Sequence, residues 1–480
     1  MSTMGLDIGT TGCKAVVFDE RGRELGSAYR EYPVLSPREG WAELDSGRVC
    51  DSALAVIREA AGTCRGDPVR GLGISSQGEA FTPVGPDGEL LGNAMVSSDA
   101  RAAAVAESWS REFGPERLYE ITGHTPHPMF TLYKLLWVRD NRPDVWRRAE
   151  KFLCFEDLLN VRLGLRAAMG YPLAGRTMLF NVRAHEWDEE ILSAVGLDRA
   201  KLATPLPSGT VVGRVAGGHD HPCGAIGAGV VSEGVAMYAS GTVECICPAF
   251  FEPVLTPDLF ASNLCTYDYT IPGMYTTVAF SLTGGNLLKW FRDEWAPEET
   301  AEAARTGAGA YELILRGMSD RPSNLLVLPY FTPSGTPYFD TQTRGAILGL
   351  RLTTRRGEVL RALMEGVAME MRLNLDILRR SGIAIRELRA IGGGARSAAL
   401  TQLKADVLNT PITTVAVTEA GCMGAALLAC AAVTGDDVKA LAGRWVRTTS
   451  VVEPDPAAAG VYEDRFASYT KLYPALKALG

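Results

Sequence analysis

The sequence predicts an α/β protein composed of two similar halves. Patterns typical of strands and of helices alternate along the chain, as expected for layered α/β folds. A hairpin of two apolar strands with a glycine–threonine tip occurs at residues 4–18 and again at 235–247. The chain has 480 residues, which is too many for one hydrophobic core, so we expect two or three domains.

The first half follows its hairpin with helices and a buried strand. Apolar residues recur at helical spacing over 45–62, and a short apolar run over 69–75 predicts a buried strand. An acidic residue near its start and a glycine just past its end predict a second helix over 99–113. The aromatic-rich segment 130–165 is predicted to be mostly helical.

The second half repeats this alternation. A stripe of apolar residues predicts a long helix over 358–380, followed by a strand over 388–391 and a helix over 397–408. Near the end, a proline- and alanine-rich stretch is typical of a linker, and a last helix is predicted after it. We therefore predict three regions: an N-terminal domain over 1–232, a C-terminal domain over 233–450, and a linker (451–460) with a final helix (461–478) over 451–480.

Composition and charge exclude several classes of function. The net charge is 48 − 56 = −8, and no basic run is long enough to contact nucleic acid. We therefore expect no nucleic-acid partner. No stretch of 18 apolar residues is present and no basic-plus-apolar leader begins the chain, so we expect no membrane span and no secretion. The 10 cysteines are scattered without a paired framework, which predicts reduced thiols and a cytoplasmic protein.

Four turns of small residues at predicted strand ends are candidate phosphate sites. No Walker-type loop, HExxH motif or GxSxG elbow is present. The four turns are Gly9–Gly12, Gly241-Thr242, Gly284-Gly285 and Gly392–Gly394. Each alone is compatible with a plain turn, but backbone N–H groups in such turns bind phosphate. Together they fit a nucleotide held in a cleft between two domains.

Two aspartates accompany these turns. Asp7 ends the first apolar run, where a carboxylate can hold the Mg²⁺ that travels with phosphate. Asp220 lies in a predicted glycine-rich turn between the runs 211–215 and 225–231, which are predicted as strands. It is a candidate to accept a proton during phosphoryl transfer, the alternative being a turn or helix-cap residue. Its neighbours His219 and His221 are expected to form hydrogen bonds and not to ligate a metal.

Two long segments resemble the signatures of the FGGY family of carbohydrate kinases. The first signature is matched at every position by Met129-x-Thr131-x-x-Lys134-Leu135-x-Trp137-Val138-x-Asp140-Asn141. The second is matched by Gly345-x-Ile347-x-Gly349-Leu350, seven residues, and Glu358-Val359-x-x-Ala362-Leu363-Met364-Glu365. The signatures themselves are expected to be structural, with Lys134 and Trp137 in packing and surface roles.

The resemblance covers nearly the whole chain and implies two actin-like (ribonuclease-H-like) domains that close over ATP and a sugar. It implies Asp220 as the general base and Asp7 as the Mg²⁺-associated aspartate. The start of the helix at Glu419-x-Gly421-x-x-Gly424 is also similar to the family's pattern. The implied nucleotide contacts are Thr10, Thr11 and Lys14 in the first hairpin, Gly241 and Thr242 in the second, Gly285, and Gly393, Gly394, Ala395 and Asn409 at the nucleoside.

The implied acceptor site leaves the sugar open. The predicted substrate contacts are Gln77, Gly78, Glu79, Asp99, Asp220 and His221. Xylulose kinases typically carry Gln-Met-His-Gly where this chain has Gln77-Gly78-Glu79, and glycerol kinases carry Gln-Arg-Glu. The Gly-His-Asp sequence before the base is more similar to kinases of fuculose and rhamnulose. For Asp99 and its neighbour Arg101, the alternative is a helix cap with a surface ion pair.

The sequence therefore predicts ATP- and Mg²⁺-dependent phosphorylation of a hydroxyl group of a small sugar or polyol in carbohydrate catabolism. The acceptor classes are a ketopentose, a deoxyhexulose or a polyol. The alternatives are an actin-like ATPase of the chaperone type and a catalytically weak sugar sensor, because fold alone does not fix function. A homodimer is compatible with the sequence, which does not determine the oligomeric state.

Overall fold

A computed structural model describes residues 1–64, 66–213 and 215–478 of the chain. The strands in these residues are β1 Ser2–Ile8, β2 Gly12–Phe18, β3 Glu24–Glu31, β4 Glu43–Leu44, β5 Val69–Ser76, β6 Phe81–Val84, β7 Ala94–Met95, β8 Lys151–Cys154, β9 Ala168–Gly170, β10 Phe180–Asn181, β11 Glu186–Trp187, β12 Thr204–Leu206, β13 Val215–His219, β14 Gly234–Ser240, β15 Glu244–Phe250, β16 Tyr267–Asp268, β17 Tyr275–Thr276, β18 Ala279–Ser281, β19 Leu326–Leu328, β20 Ala346–Leu348, β21 Ile385–Ile391, β22 Ile412–Val415 and β23 Thr448–Val452.

The α-helices of the same residues are α1 Ser46–Gly62, α2 Ala103–Phe113, α3 Pro115–Thr122, α4 Thr131–Asn141, α5 Pro143–Arg148, α6 Phe155–Arg162, α7 Tyr171–Gly175, α8 Glu189–Val195, α9 Asp220–Gly227, α10 Pro257–Ala261, α11 Gly285–Trp295, α12 Pro297–Thr306, α13 Ala310–Arg316, α14 Arg356–Arg380, α15 Ala398–Leu408, α16 Ala420–Thr434, α17 Val438–Trp445, α18 Pro456–Tyr469 and α19 Leu472–Lys477. None of them combines the length and the apolar character that crossing a membrane requires.

Each half of the chain forms a sheet with the same strand order. In the first sheet the order is β3-β2-β1-β5-β13, with antiparallel pairing along β3-β2-β1 and parallel pairing along β1-β5-β13. In the second sheet the corresponding run is β18-β15-β14-β21-β22, again antiparallel and then parallel. The repeat seen in the two hairpins therefore extends to five strands of each half.

Helix α16 packs directly on the first sheet, although it follows the strands of the second. A side chain at Gly5 of β1 would come within 1.8 Å of the Cys422 carbonyl oxygen, and one at Gly73 of β5 within 1.9 Å of the Ala425 carbonyl oxygen. Only glycine permits this approach of helix to strand. Residues 420–434, which the sequence assigns to the C-terminal domain, thus pack against the sheet of the N-terminal half.

Several predicted elements differ from the structure. The run 225–231 is not a strand, because its first residues belong to helix α9, which begins at Asp220. A buried helix has apolar residues on all sides and shows no amphipathic pattern, so the sequence does not distinguish it from a strand. Residue 214, within the predicted strand 211–215, lies outside the described residues.

The predicted C-terminal linker is also wrong. Residues 448–452 form β23, an edge strand of the second sheet, and α18 begins at Pro456. The final helical region is divided into α18 and α19 at residues 470–471. The C-terminal segment is therefore joined to the second sheet and is not a separate extension.

Candidate active site

The site lies where the parallel strands of the first sheet end. Asp7 of β1 pairs with Ser75 of β5, and Ser75 pairs with Gly218 of β13. Asp220 follows two residues after Gly218, as the first residue of α9. The carboxyl ends of neighbouring parallel strands meet at one edge of a sheet, so the two predicted aspartates come to the same edge.

Both histidines that flank Asp220 contact one oxygen of its carboxylate. Asp220 Oδ1 accepts hydrogen bonds from the His221 backbone N–H at 2.6 Å and from His221 Nδ1 at 2.7 Å. His219 Nε2 lies 3.0 Å from the same oxygen. Burial alone would raise the pKa of Asp220, but the nearby histidines, His221 most strongly, lower it below its usual range. Among the described residues no group donates to Oδ2.

A buried tyrosine holds His219 from the other side. Burial lowers the pKa of His219 to about 3, so its ring is neutral. The Tyr267 hydroxyl lies 3.3 Å from His219 Nδ1. If Tyr267 donates to Nδ1, the proton of the imidazole is on Nε2, where it faces Asp220. Sequence reasoning missed Tyr267, which comes from β16 in the other half of the chain and has no motif around it.

Asp7 is influenced by the charges of two other carboxylates, Asp220 and Glu419. Ser75 Oγ donates to Asp7 Oδ1 at 2.7 Å, and Gly421 at the start of α16 lies against Asp7. Burial, followed by the negative charges of Asp220 and Glu419, raises the pKa of Asp7 to about 6. Carboxylate oxygens concentrated in this way fit a divalent cation such as Mg²⁺. Glu419 was noted from sequence only as the start of a helix.

The first hairpin is fastened to the end of β5. Thr10 Oγ1 donates to Gln77 Oε1 at 3.2 Å, and Gln77 Nε2 donates to the Gly9 carbonyl at 3.1 Å. Both ends of the Gln77 amide are therefore engaged by the hairpin, although the sequence assigns Gln77 to the sugar. Thr11 is exposed at the tip, and Lys14 Nζ lies 2.6 Å from Glu419 Oε1.

The other three glycine turns meet one another. The Gly285 N–H donates to the Gly241 carbonyl at 2.8 Å, and the Asn286 N–H donates to the Thr242 carbonyl at 3.2 Å. Gly392 has φ +89°, and a side chain there would come within 2.7 Å of the Ser240 carbonyl oxygen. The structure therefore brings these turns together, as a shared phosphate site requires.

A cavity of about 530 Å³ opens beside the turn at 392–394. Of the residues predicted for the nucleoside, Gly393 and Ala395 line it and Gly394 does not. Asn409 was also predicted at the nucleoside, but it caps the far end of α15 with φ +45° and does not line the cavity. The 11 residues of α15 separate it from the turn by about 16 Å. Sequence reasoning missed the cavity residues Thr401, Thr414, Val415, Thr449 and Ser450.

The predicted acceptor residues Gly78 and Glu79 lie beside His219. A side chain at Gly78 would come within 2.9 Å of His219 Nε2 and 3.3 Å of Arg176 Cβ. Glu79 is buried, and its Oε1 accepts a hydrogen bond from Arg176 Nε at 2.6 Å. Arg176, just after α7, was not found from sequence because no motif surrounds it.

Asp99, which was predicted as a substrate contact, is instead hydrogen-bonded within the fold. Its carboxylate accepts from the Ala42 N–H at 2.7 Å and from Arg101 Nε at 2.8 Å. The Arg101 guanidinium is itself 3.6 Å from the centre of the Trp41 ring. Asp99 is buried, and α2 begins only at Ala103, so it neither caps that helix nor forms a surface pair. The hydrogen bonds leave its carboxylate committed to the fold and unavailable to a sugar.

Comparison with known proteins identifies the fold and the family. Sequence models of the FGGY family of carbohydrate kinases match residues 2–236 (N-terminal domain) and 236–433 (C-terminal domain). The glycerol kinase of Thermococcus kodakarensis is 30% identical over 94% of this chain and 92% of its own. The xylulose kinase of Bacillus subtilis is 26% identical over 99% of this chain and 97% of its own.

Solved structures agree with this assignment. A xyloylose kinase from Brucella ovis has a TM-score of 0.89 at 27% identity and covers 100% of both chains. A gluconate kinase from Lactobacillus acidophilus has the same fold, with a TM-score of 0.91 at 24% identity over 99% of this chain and 98% of its own. The predicted two-domain α/β fold and the resemblance of the two signatures are confirmed. The chain belongs to the FGGY family of carbohydrate kinases.

Proposed function

We propose that this chain transfers the γ-phosphoryl group of ATP to a hydroxyl group of a small sugar or polyol, with Asp220 Oδ2 as the base. The placement of Asp220 carries the proposal. Its Oδ1 is held by His219 and His221, while Oδ2 faces no donor among the described residues. A carboxylate fixed in this manner, with a second carboxylate, Asp7, close enough to influence it, suits phosphoryl transfer to an alcohol.

The low pKa of Asp220 is compatible with this role. Phosphoryl transfer requires little covalent work of the protein, and the hydroxyl becomes acidic only as its oxygen bonds to phosphorus. A weakly basic carboxylate then accepts the proton late in the reaction. His221 and His219 keep Asp220 ionised at neutral pH and hold it in one orientation.

The glycine turns and Asp7 form the nucleotide side of the proposed site. The hairpin tips at 9–12 and 241–242 supply backbone N–H groups and hydroxyls for phosphate oxygens. The cavity beside Gly393 and Ala395 has a volume suited to a nucleoside. Mg²⁺ held near Asp7 would, when bound, neutralise charge on the phosphates. Lys14 is paired with Glu419 and would have to exchange that partner to contact a phosphate.

Family membership favours a sugar or polyol acceptor over the other interpretations of an actin-like fold. Both sequence models are those of carbohydrate kinases, so the chaperone-type ATPase has no support. Relatives named xylulose kinase and glycerol kinase make a ketopentose and a polyol the first acceptors to test. Asp7 and Asp220 are both present at the site, which argues against a sensor without turnover.

An acceptor panel tests this proposal. The full chain is assayed for ADP release with ATP and Mg²⁺ against ketopentoses, deoxyhexuloses, tetritols and glycerol, one at a time. Buried hydroxyl contacts discriminate strongly, so one acceptor is expected to exceed the others by orders of magnitude in kcat/KM. ADP release that is independent of every acceptor would contradict the proposal and favour an ATPase.

A further inference from the structure

We propose that the paired side chains of Glu79 and Arg176 make the acceptor site selective for uncharged sugars and polyols and exclude sugar acids. This inference rests on the proposed function and specifies its substrate class. Its basis is the position of the pair next to the base, the single free oxygen that the pair presents, and the charge of the surrounding groups.

The pair adjoins the base through His219. Gly78 lies between them: a side chain there would come within 2.9 Å of His219 Nε2 and within 3.3 Å of Arg176 Cβ and Cγ. His219 Nε2 is in turn 3.0 Å from Asp220 Oδ1. Because residue 78 has no side chain, Arg176 and His219 can both pack closely against it.

Arg176 is committed to one oxygen of Glu79. Its Nε and Nη2 atoms both contact Glu79 Oε1, and the two side chains are 11% and 5% exposed. Its guanidinium also lies 5.0 Å from the centre of the Phe130 ring and 5.6 Å from that of Tyr267. The carboxylate and the two rings offset the positive charge of Arg176 and weaken its attraction for an anionic ligand.

Glu79 Oε2 remains available. It has no hydrogen-bond partner among the described residues, and it is not among their fully enclosed unpaired atoms. An ionised carboxylate oxygen accepts hydrogen bonds and cannot donate them. It therefore suits a sugar hydroxyl, which donates, and it repels the carboxylate of an aldonate.

The backbone of Glu79 is fixed in an unusual conformation. Its φ is +64°, in the left-handed region that residues with a side chain rarely adopt. Thr131 Oγ1 and Lys134 Nζ donate to its carbonyl at 2.9 Å and 3.3 Å. These residues of the first signature are thus positioning residues for Glu79. Lys134 is fully buried, which agrees with the packing role expected from sequence.

The charges of the surrounding groups also disfavour an anionic acceptor. The negative charges of Asp220 and Glu419 both act on Asp7, so three carboxylates influence one another near the proposed base. The nearby cations are already engaged: Lys14 contacts Glu419, and Lys134 donates to the Glu79 and Met95 carbonyls. An acceptor that brings another negative charge is therefore disfavoured, whereas a neutral polyol is not.

Matched pairs of acceptors test the inference in the full chain. ADP release is measured with xylitol and xylonate, and with glucitol and gluconate, members of each pair having the same number of carbons. The wild-type protein is expected to use the alditol in strong preference to the aldonate. Glu79→Gln frees Arg176, so the ratio of alditol to aldonate kcat/KM is expected to fall by about 100-fold or more.

Two further variants distinguish an effect of charge from an effect of disturbed folding. Glu79→Gln combined with Arg176→Met removes the freed cation and is expected to lose any gain in aldonate use. Glu43→Gln removes a carboxylate from a similar pair with Arg101, which is also bound to Asp99, and is expected to keep the wild-type ratio. Thermal stabilisation by MgADP shows whether each variant is folded.

Each outcome has a distinct meaning. A wild-type preference for an aldonate over its alditol would overturn this inference and leave the kinase proposal intact. An unchanged ratio in folded Glu79→Gln would also overturn it. No turnover with any acceptor, whether from these pairs or from the panel above, would instead count against the proposed function. If Glu79→Gln does not fold, competition of xylitol and xylonate against the best wild-type acceptor decides, with equal inhibition overturning the inference.

Discussion

The ammonium group of Lys404 lies 2.5 Å from Glu244 Oε1, and both side chains are buried under the second phosphate hairpin. Lys404 Nζ also contacts Ser240 Oγ at 2.5 Å, and the Tyr238 hydroxyl donates to the other oxygen of Glu244. Helix α15 and the hairpin of β14 and β15 are therefore joined by a buried ion pair. It lies between the proposed nucleoside cavity and the phosphate turn.

Removal of Lys404 is expected to destabilise the protein and weaken ATP binding. Lys404→Met leaves Glu244 buried without its partner, a change that typically costs about 3–5 kcal/mol. Urea unfolding and the KM for ATP, which we expect to rise, measure the effect, whereas the KM for the acceptor is expected to change little. The control is Lys289→Met, at an exposed lysine that pairs with Asp293. A Lys404→Met variant as stable as this control would contradict the prediction.

Asp220→Asn is expected to separate binding from turnover. The amide retains the size of the carboxylate but is not a base, so we expect kcat to fall by about 100-fold or more. Stabilisation of the fold by MgADP should remain near that of the wild type, because the nucleotide contacts are on other elements. Turnover within a few-fold of the wild type would remove Asp220 from the role of base.

The sequence predicted those parts of the site that local patterns encode. Asp7 lies at the end of β1 and Asp220 directly after β13, and the order of the strands brings them to one edge of the sheet. Arg176 and Lys404 were not predicted, because their roles depend on burial against residues far away in the chain. Helix α9 was mistaken for a strand because a fully buried helix lacks a polar face.

For Asp99 and Asn409, the sequence predicted a ligand contact where the structure shows a structural role. Each matches a position that approaches a ligand in the family resemblance, yet each is used for structure here. The Asp99 carboxylate is occupied by Arg101 and the Ala42 N–H, and Asn409 adopts the left-handed conformation that ends α15. Spacing alone does not show which hydrogen bonds a side chain has already made, so such roles require coordinates.

The stability of the protein is expected to depend on pH through Glu370 of α14. Burial raises the pKa of Glu370 to about 7, while Tyr330 and Tyr469 donate to its carboxylate. In the unfolded chain its pKa is near 4.5, so the folded state binds the proton more tightly. The contribution of Glu370 to stability is therefore full below pH 4.5 and is lost between pH 4.5 and about 7, by about 3 kcal/mol.

Glu370→Gln should remove this part of the pH dependence. The free energy of unfolding is measured from pH 4.5 to 8 for the wild type and the variant, and the difference between them is expected to change with pH. Glu312→Gln, at an exposed pair with Arg316, is the control and should run parallel to the wild type. A difference between wild type and Glu370→Gln that is constant over this range would show that Glu370 does not titrate there.

Gly78→Ala tests the close packing of residue 78 against His219, which contacts the proposed base Asp220. The added Cβ would be 2.9 Å from His219 Nε2, closer than such atoms normally approach, so the ring must shift. Because His219 contacts Asp220 and Tyr267, we expect the shift to misplace the base and lower kcat by about 10-fold or more. Binding of MgADP should be unchanged. The matched control is Gly92→Ala, where an added Cβ meets no atom within 4 Å. Equal kcat in the two variants would mean that His219 does not hold the base in place.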